Sequence, residues 1–238
     1  LCGNAASSAA LGVADGVGGA ADSAWYSQAL MANCESILAA DLDEAVRSTS
    51  PQSILDMAWN NARSTSSLDG RSTACVLLLD GGSDSGSSPP LVRAANLGDS
   101  AYWLLRRRPS GRLGVAFKSR VQQHEWNCPY QLGWLHGEEL NTPSDADTSE
   151  CPLQRDDALV LATDGLFDIL YPLEILELFE TGLRRGDGAR QLATHLVEHA
   201  IEQSKDPMRM SPAIEAMARE GYVARSREAQ DDVTVAVA

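Results

Sequence analysis

Apolar residues along the chain fall into two rhythms. "SAALGVADG" is a short run of small apolar residues that stops at glycine, so it predicts a buried strand with Asp15 at its tip. Over residues 23–46, Trp25, Leu30, Ile37, Leu38 and Leu42 follow a helical rhythm, which predicts a helix. "SPQSILDMAWNNAR" predicts a second helix with Pro51 in its first turn. Asp69-Gly70 marks a turn, "STACVLLLD" a strand with Cys75 in the core, and "GGSDSGSSPP" a loop. "LVRAANLGDSAYWLLRR" predicts a strand, a turn near Gly98 and a second strand, together a hairpin, and "LGVAFKS" a further strand. Residues 120–157 show no period and are rich in Pro, Asn, Gly and acids, as functional loops often are. "DALVLATDGLFDIL" predicts a buried strand, a turn and a short helix. Pro172 opens the helix "PLEILELFETGLRR", and "GARQLATHLVEHAIEQS" is amphipathic. The chain ends in a strand, "DDVTVAVA".

Strands and helices come in clusters rather than in strict alternation, which predicts an antiparallel α+β protein. No repeat or low-complexity linker divides the 238 residues, so a single domain over 1–238 is expected. Charge and cysteine narrow the partners. A formal charge of -14 argues against a nucleic-acid backbone, whose phosphates need Lys and Arg. Five cysteines without a CxxC pair favour reduced thiols over a disulfide framework or zinc ribbon. No apolar run reaches the ~20 residues of a membrane span.

One arrangement recurs: an apolar strand, then an aspartate, usually beside glycine. It occurs at Asp15, at Asp99, at Asp164 with Asp168 four residues on, and at Asp231-Asp232. One such place is usually a turn. If four strand ends converge, their carboxylates repel, and protonation or a cation relieves the repulsion. Oxygen-only ligands select hard ions such as Mg²⁺ or Mn²⁺, and glycine beside the acid lets a backbone carbonyl approach the ion.

The segments "VADGVGG", "GRSTACVLLLD", "ANLGDSAYWLLR", "LVLATDGLFDIL" and "QDDVTVAV", in this order, resemble the metal-dependent type 2C Ser/Thr protein phosphatases, the PPM family. "QQHEWNCPYQL" and "DPMRMSPAIEAMAREG" are similar to the branch with mitochondrial and chloroplast members, including photosystem II core phosphatases. The resemblance implies two packed antiparallel sheets flanked by helices, an α-β-β-α sandwich with a binuclear metal centre. It implies that Asp15 bridges two Mg²⁺ or Mn²⁺ ions, that the Gly16 carbonyl holds the second, and that Asp164 and Asp231 complete the first. Asp99 and Asp168, with Asp164, match a third, weaker site, and Asp232 stands beside the ligands. Asp15, Asp164 and Asp231 are thereby the catalytic candidates. The implied reaction is hydrolysis of phosphoserine and phosphothreonine in proteins by a metal-bound hydroxide. The branch implies a chloroplast or mitochondrial location and association with an organellar complex.

Two departures stand out. Val17 occupies the position where many relatives carry a His that serves as general acid, and Asn4 and Ala5 stand where an acidic ligand is expected upstream of Asp15. The second supports an alternative reading, a catalytically impaired relative serving as a structural or regulatory subunit. Other features read as structural. His195 and His199 read as a solvated or packed pair, "RRRPSGR" as a solvated turn, and Ser72 and Thr73 as a strand entry without a base. Trp126, Tyr130 and Trp134 fit either a substrate flap or an anchor on the core.

Overall fold

The computed structural model describes residues 2–4, 8–65, 70–82, 88–135, 138–222 and 231–238. In chain order, β1 (Cys2–Asn4) and β2 (Ser8–Val13) lead to α1 (Ser23–Leu38), α2 (Leu42–Ser48) and α3 (Pro51–Thr65). Then come β3 (Arg71–Ser72), β4 (Ala74–Asp80), β5 (Leu91–Leu97), β6 (Ala101–Arg107) and β7 (Leu113–Lys118). The short strands β8 (Gln123–Glu125), β9 (Cys128–Pro129), β10 (Leu132–Leu135) and β11 (Glu138–Glu139) precede β12 (Asp147–Pro152) and β13 (Ala158–Ala162). The chain closes with α4 (Asp164–Phe167), α5 (Pro172–Arg185), α6 (Ala189–Ser204), α7 (Pro212–Arg219) and β14 (Val235–Val237). The α+β class and the antiparallel pairing are as the sequence predicts. No helix among the described residues is long and apolar enough to cross a membrane.

The chain divides into two compact units. The first comprises residues 1–100 and 119–155. Its main sheet runs β1-β2-β4-β5-β12, all antiparallel. The β4 run "ACVLLLD" is apolar on both faces because it is central, and Ala74, Cys75, Val76, Leu77 and Leu78 are fully buried. Burial also pushes the Cys75 thiol well above its usual range, so it behaves as a core residue. Helix α1 buries Tyr26, Leu30, Cys34 and Leu38, one face at helical spacing, and α3 adds Ile54, Leu55, Ala58, Trp59 and Ala62 to the same core. Ser50 Oγ accepts from Ser53 N at 3.0 Å and Pro51 follows it, so α3 starts where sequence chemistry places it.

The second unit comprises residues 101–118 and 156–238. Its sheet runs β14-β13-β6-β7. Trp103, Leu105, Val160 and Ala162 of the sheet pack with Leu166, Leu170, Ile175, Phe179, Leu192, Leu196 and Ala200 of the helical segments. Arg106 grips Asp157 through Nε and Nη2 at 2.8 and 2.7 Å, so one arginine of the "RRRPSGR" turn is an internal clamp while its tip stays exposed. Gly186 ends α5 in the left-handed region at φ 82°.

Three local readings need correction. The helix expected over 23–46 is two helices. Asp41 adopts an extended backbone and accepts from Glu44 N at 3.0 Å, so capping competes with continuation. The expected β5–β6 hairpin does not form, because β5 pairs with β4 and β12 whereas β6 pairs with β7 and β13. The segment 120–157 is not structureless. It holds β8–β12, whose short strands pair with one another or with β3 and β5. The 81–90 loop and the Asp69-Gly70 turn lie partly outside the described residues, as does Ala5.

Candidate active site

In the first unit the tip of β2 is tied to the entry of β4. Asp15 N donates to Thr73 Oγ1 at 3.1 Å and Thr73 N donates to Asp15 O at 2.9 Å. Ser72 Oγ lies 2.8 Å from the same carbonyl. Ser72 and Thr73 are fully buried, so the "GRSTA" hydroxyls hold the Asp15 backbone, the structural role expected of them. Gly16 bridges Ser72, and a β-carbon on it would meet the Ser23 carbonyl at 2.8 Å, so only glycine lets the turn pass the start of α1.

Thr73 Oγ1 also pairs with Ser100 Oγ at 2.8 Å, which links the Asp15 turn to the turn carrying Asp99. That turn needs Gly98, at φ 104° and packed against Thr73 and the Tyr130 carbonyl. Asp99 is buried, 7% exposed, and accepts from Gln123 Nε2 at 3.1 Å. The contact with Gln123 carries no sequence signal, because the two residues are 24 positions apart and meet only through the β8–β9 hairpin.

In the second unit β13 ends at Ala162, Thr163 follows it, and Asp164 opens α4. Asp168 lies one turn on, with its N–H on the Asp164 carbonyl at 2.8 Å. The segment before β14 runs alongside. Thr163 N donates to Thr234 O at 3.1 Å and Thr234 N to Thr163 Oγ1 at 3.2 Å. A β-carbon on Gly165 would overlap the Asp232 carbonyl, so this Asp-Gly exists for close chain passage rather than for a turn. The segments carrying Asp164 and Asp231 are therefore adjacent, while the Asp231 and Asp168 residues are exposed. One oxygen, Asp164 Oδ1, is buried with no hydrogen-bond partner. A carboxylate only accepts, and burying one oxygen without a donor is costly unless a cation meets it.

Among the described residues no group of three or more His, Cys, Asp or Glu side chains is gathered closely enough to hold an ion. What the structure shows is pairwise: Asp15 with Asp99 through Thr73 and Ser100, and Asp164 with Asp168 and the Asp231 segment. The orphaned Asp164 oxygen, an anionic oxygen ligand, fits a hard divalent cation.

The remaining candidates have other employment. His195 Nε2 lies 3.6 Å from Asp187 Oδ2, and His195 and His199 border a groove of about 420 Å³ between α5 and α6. Trp134 stacks on Trp59 at 6.0 Å and meets Tyr26 edge-on, so it anchors its strand on the core, and Tyr130 stacks on His124 at 4.2 Å. Trp126 is half-buried.

Comparison with known proteins places the chain among related sequences and folds. The protein phosphatase 2C family model matches residues 132–206. A Xenopus laevis protein phosphatase PTC7 homolog is 32% identical over 94% of this chain and 74% of its own length. A probable protein phosphatase 2C 55 of Arabidopsis thaliana is 32% identical over 96% of this chain, which spans 45% of that relative. The solved structure of the photosystem II phosphatase PBCP superimposes with a TM-score of 0.76 and 26% identity, covering 100% of this chain and 88% of that one. The fold is that of a PPM-type phosphatase. The chain belongs to the protein phosphatase 2C family.

Proposed function

We propose that this chain hydrolyses phosphoserine and phosphothreonine in proteins with two divalent cations, Mg²⁺ or Mn²⁺. Residues 1–238 act as one catalytic domain. Asp15, the Gly16 carbonyl, Asp164 and Asp231 hold the two ions, and Asp99 and Asp168 serve with Asp164 at a third, weaker position. The observation that carries the reading is Asp164 Oδ1, buried beside the Asp231 segment with no donor. When bound, the ions acidify a water and neutralise phosphoryl charge.

The chain's own residues preset the ligands. Thr73 and Ser72 fix the Asp15 backbone, so the carboxylate is presented from a fixed origin. Gly165 lets the 231–234 segment approach the Asp164 turn. Val17 has no side-chain proton to give, so the leaving oxygen takes its proton from water. The substrate is a phosphoprotein. The likeness to a photosystem II phosphatase supports a chloroplast or mitochondrial location and work on an organellar complex.

The test is phosphate release from a phosphothreonine peptide by the purified chain with Mn²⁺. Chelation abolishes release, and Asp15→Asn or Asp164→Asn each lowers kcat on the order of 100-fold or more. Absence of turnover would replace this reading with that of a non-catalytic subunit, and turnover indifferent to Asp164→Asn would overturn the role given to Asp164.

A further inference from the structure

We infer that Gln123 is a positioning residue that orients the Asp99 carboxylate for its cation, through a hairpin built onto the Asp99 turn. This deepens the proposed function and rests on Asp99 being a ligand there. Asp99 is buried, and Gln123 Nε2 donates to its Oδ2 at 3.1 Å. The reach of the glutamine is not left to chance, because its neighbours are bonded to the turn itself. Gln122 N donates to Gly98 O at 2.9 Å, and Gly98 N donates to Gln122 Oε1 at 3.3 Å. The other end of the same amide donates to Asp145 O at 2.8 Å, which sets its orientation. Asn96 Nδ2 donates to Arg120 O at 2.9 Å, and Tyr130 N closes the hairpin on Gln122 O at 3.0 Å. These bonds hold the base of β8 against residues 96–98, so the Gln123 amide meets Asp99 from a fixed origin.

The chemistry of the amide suits the task. A neutral N–H fixes one carboxylate oxygen and leaves the full negative charge for a cation. A Lys or Arg at the same place would neutralise that charge and compete with the ion, and a Glu would repel the carboxylate. Hydrogen bonds from groups around a ligand typically change metal affinity by ten- to a hundredfold.

The experiment uses the full chain and Mn²⁺ itself. Binding is followed by titration calorimetry, hydrolysis of a phosphothreonine peptide is followed against Mn²⁺ concentration, and Tm is measured without metal. Gln123→Ala raises the Mn²⁺ concentration for half-saturation of the weaker phase by about tenfold or more, with an unchanged Tm. In an Asp99→Asn background the same substitution adds nothing, since the carboxylate it orients is already gone. An unmoved Mn²⁺ curve, or an equal shift in the Asp99→Asn background, overturns the inference. If the wild type binds Mn²⁺ but does not hydrolyse the peptide, the phosphatase reading fails alone, and calorimetry still decides the role of Gln123. If it binds no Mn²⁺, both readings fall.

Discussion

Gly165 shows how much one missing methyl decides. Its neighbour Asp164 has a buried, unpartnered oxygen, and the Asp232 carbonyl occupies the space a β-carbon would need. Gly165→Ala therefore pushes residues 231–234 away from Thr163. We expect a loss of about 2 kcal/mol of stability, in line with overpacking, together with weaker Mn²⁺ binding, read by urea unfolding and calorimetry. Glu174 gives a pH prediction. Its burial disfavours the charge, but the hydrogen bonds from Arg209 at 2.6 and 2.8 Å and from Tyr171 N at 2.8 Å outweigh this and hold its carboxyl below the usual range. The folded pKa is depressed, so the contribution is present above the unfolded glutamate pKa of about 4.3 and is lost as pH falls through the folded value. Wild type is more stable than Glu174→Gln at pH 7, and the gap closes as the pH is lowered below 4. A gap independent of pH would assign the effect to shape rather than charge.

The elements follow local chemistry where that chemistry is decisive. The cap at Asp41, with Asp43 and Glu44 in the first turn of α2, ends one helix and begins another. Asp41→Ala should cost about 1 kcal/mol in thermal unfolding. Indifference to this change would mean that packing of Val46, not the cap, sets the break. The hydrophobic rhythm over 23–46 ran through this point because Ala39 and Ala40 are compatible with helix, so periodicity could not see the interruption. The turn "NLGDS" looks like a hairpin for a similar reason. Gly98 at φ 104° reverses no strand. It passes the chain from a sheet ordered β4-β5-β12 to one ordered β13-β6-β7. Turn residues report backbone conformation, and the partner of each strand is chosen by distant side chains. The aperiodic 120–157 segment is opaque in the same sense, since strands of two to six residues are too short to show a period.

At the scale of the molecule the prediction is linkage. An ion that binds only the folded chain stabilises it by about 2.7 kcal/mol at one hundred times its dissociation constant. Mn²⁺ should therefore raise Tm in a concentration-dependent way, and chelation should reverse the rise. Asp15→Asn and Asp164→Asn should each weaken it. A shift that survives both substitutions would assign the effect to the acidic surface, with its net charge of -14.

What the amino-acid order alone determined is the local grammar: apolar strands that stop at Asp-Gly, capped and proline-started helices, and five motifs whose order marks the family. These depend on near neighbours, whose preferences act within a few residues. Only the tertiary structure decided which strands pair, why Gly16 and Gly165 must be glycine, how Thr73 and Ser100 join two aspartate turns, and that Gln123 reaches Asp99. Those facts arise where segments tens of residues apart are pressed together, and close packing selects such contacts by shape and hydrogen-bond satisfaction, which no single stretch of chain encodes.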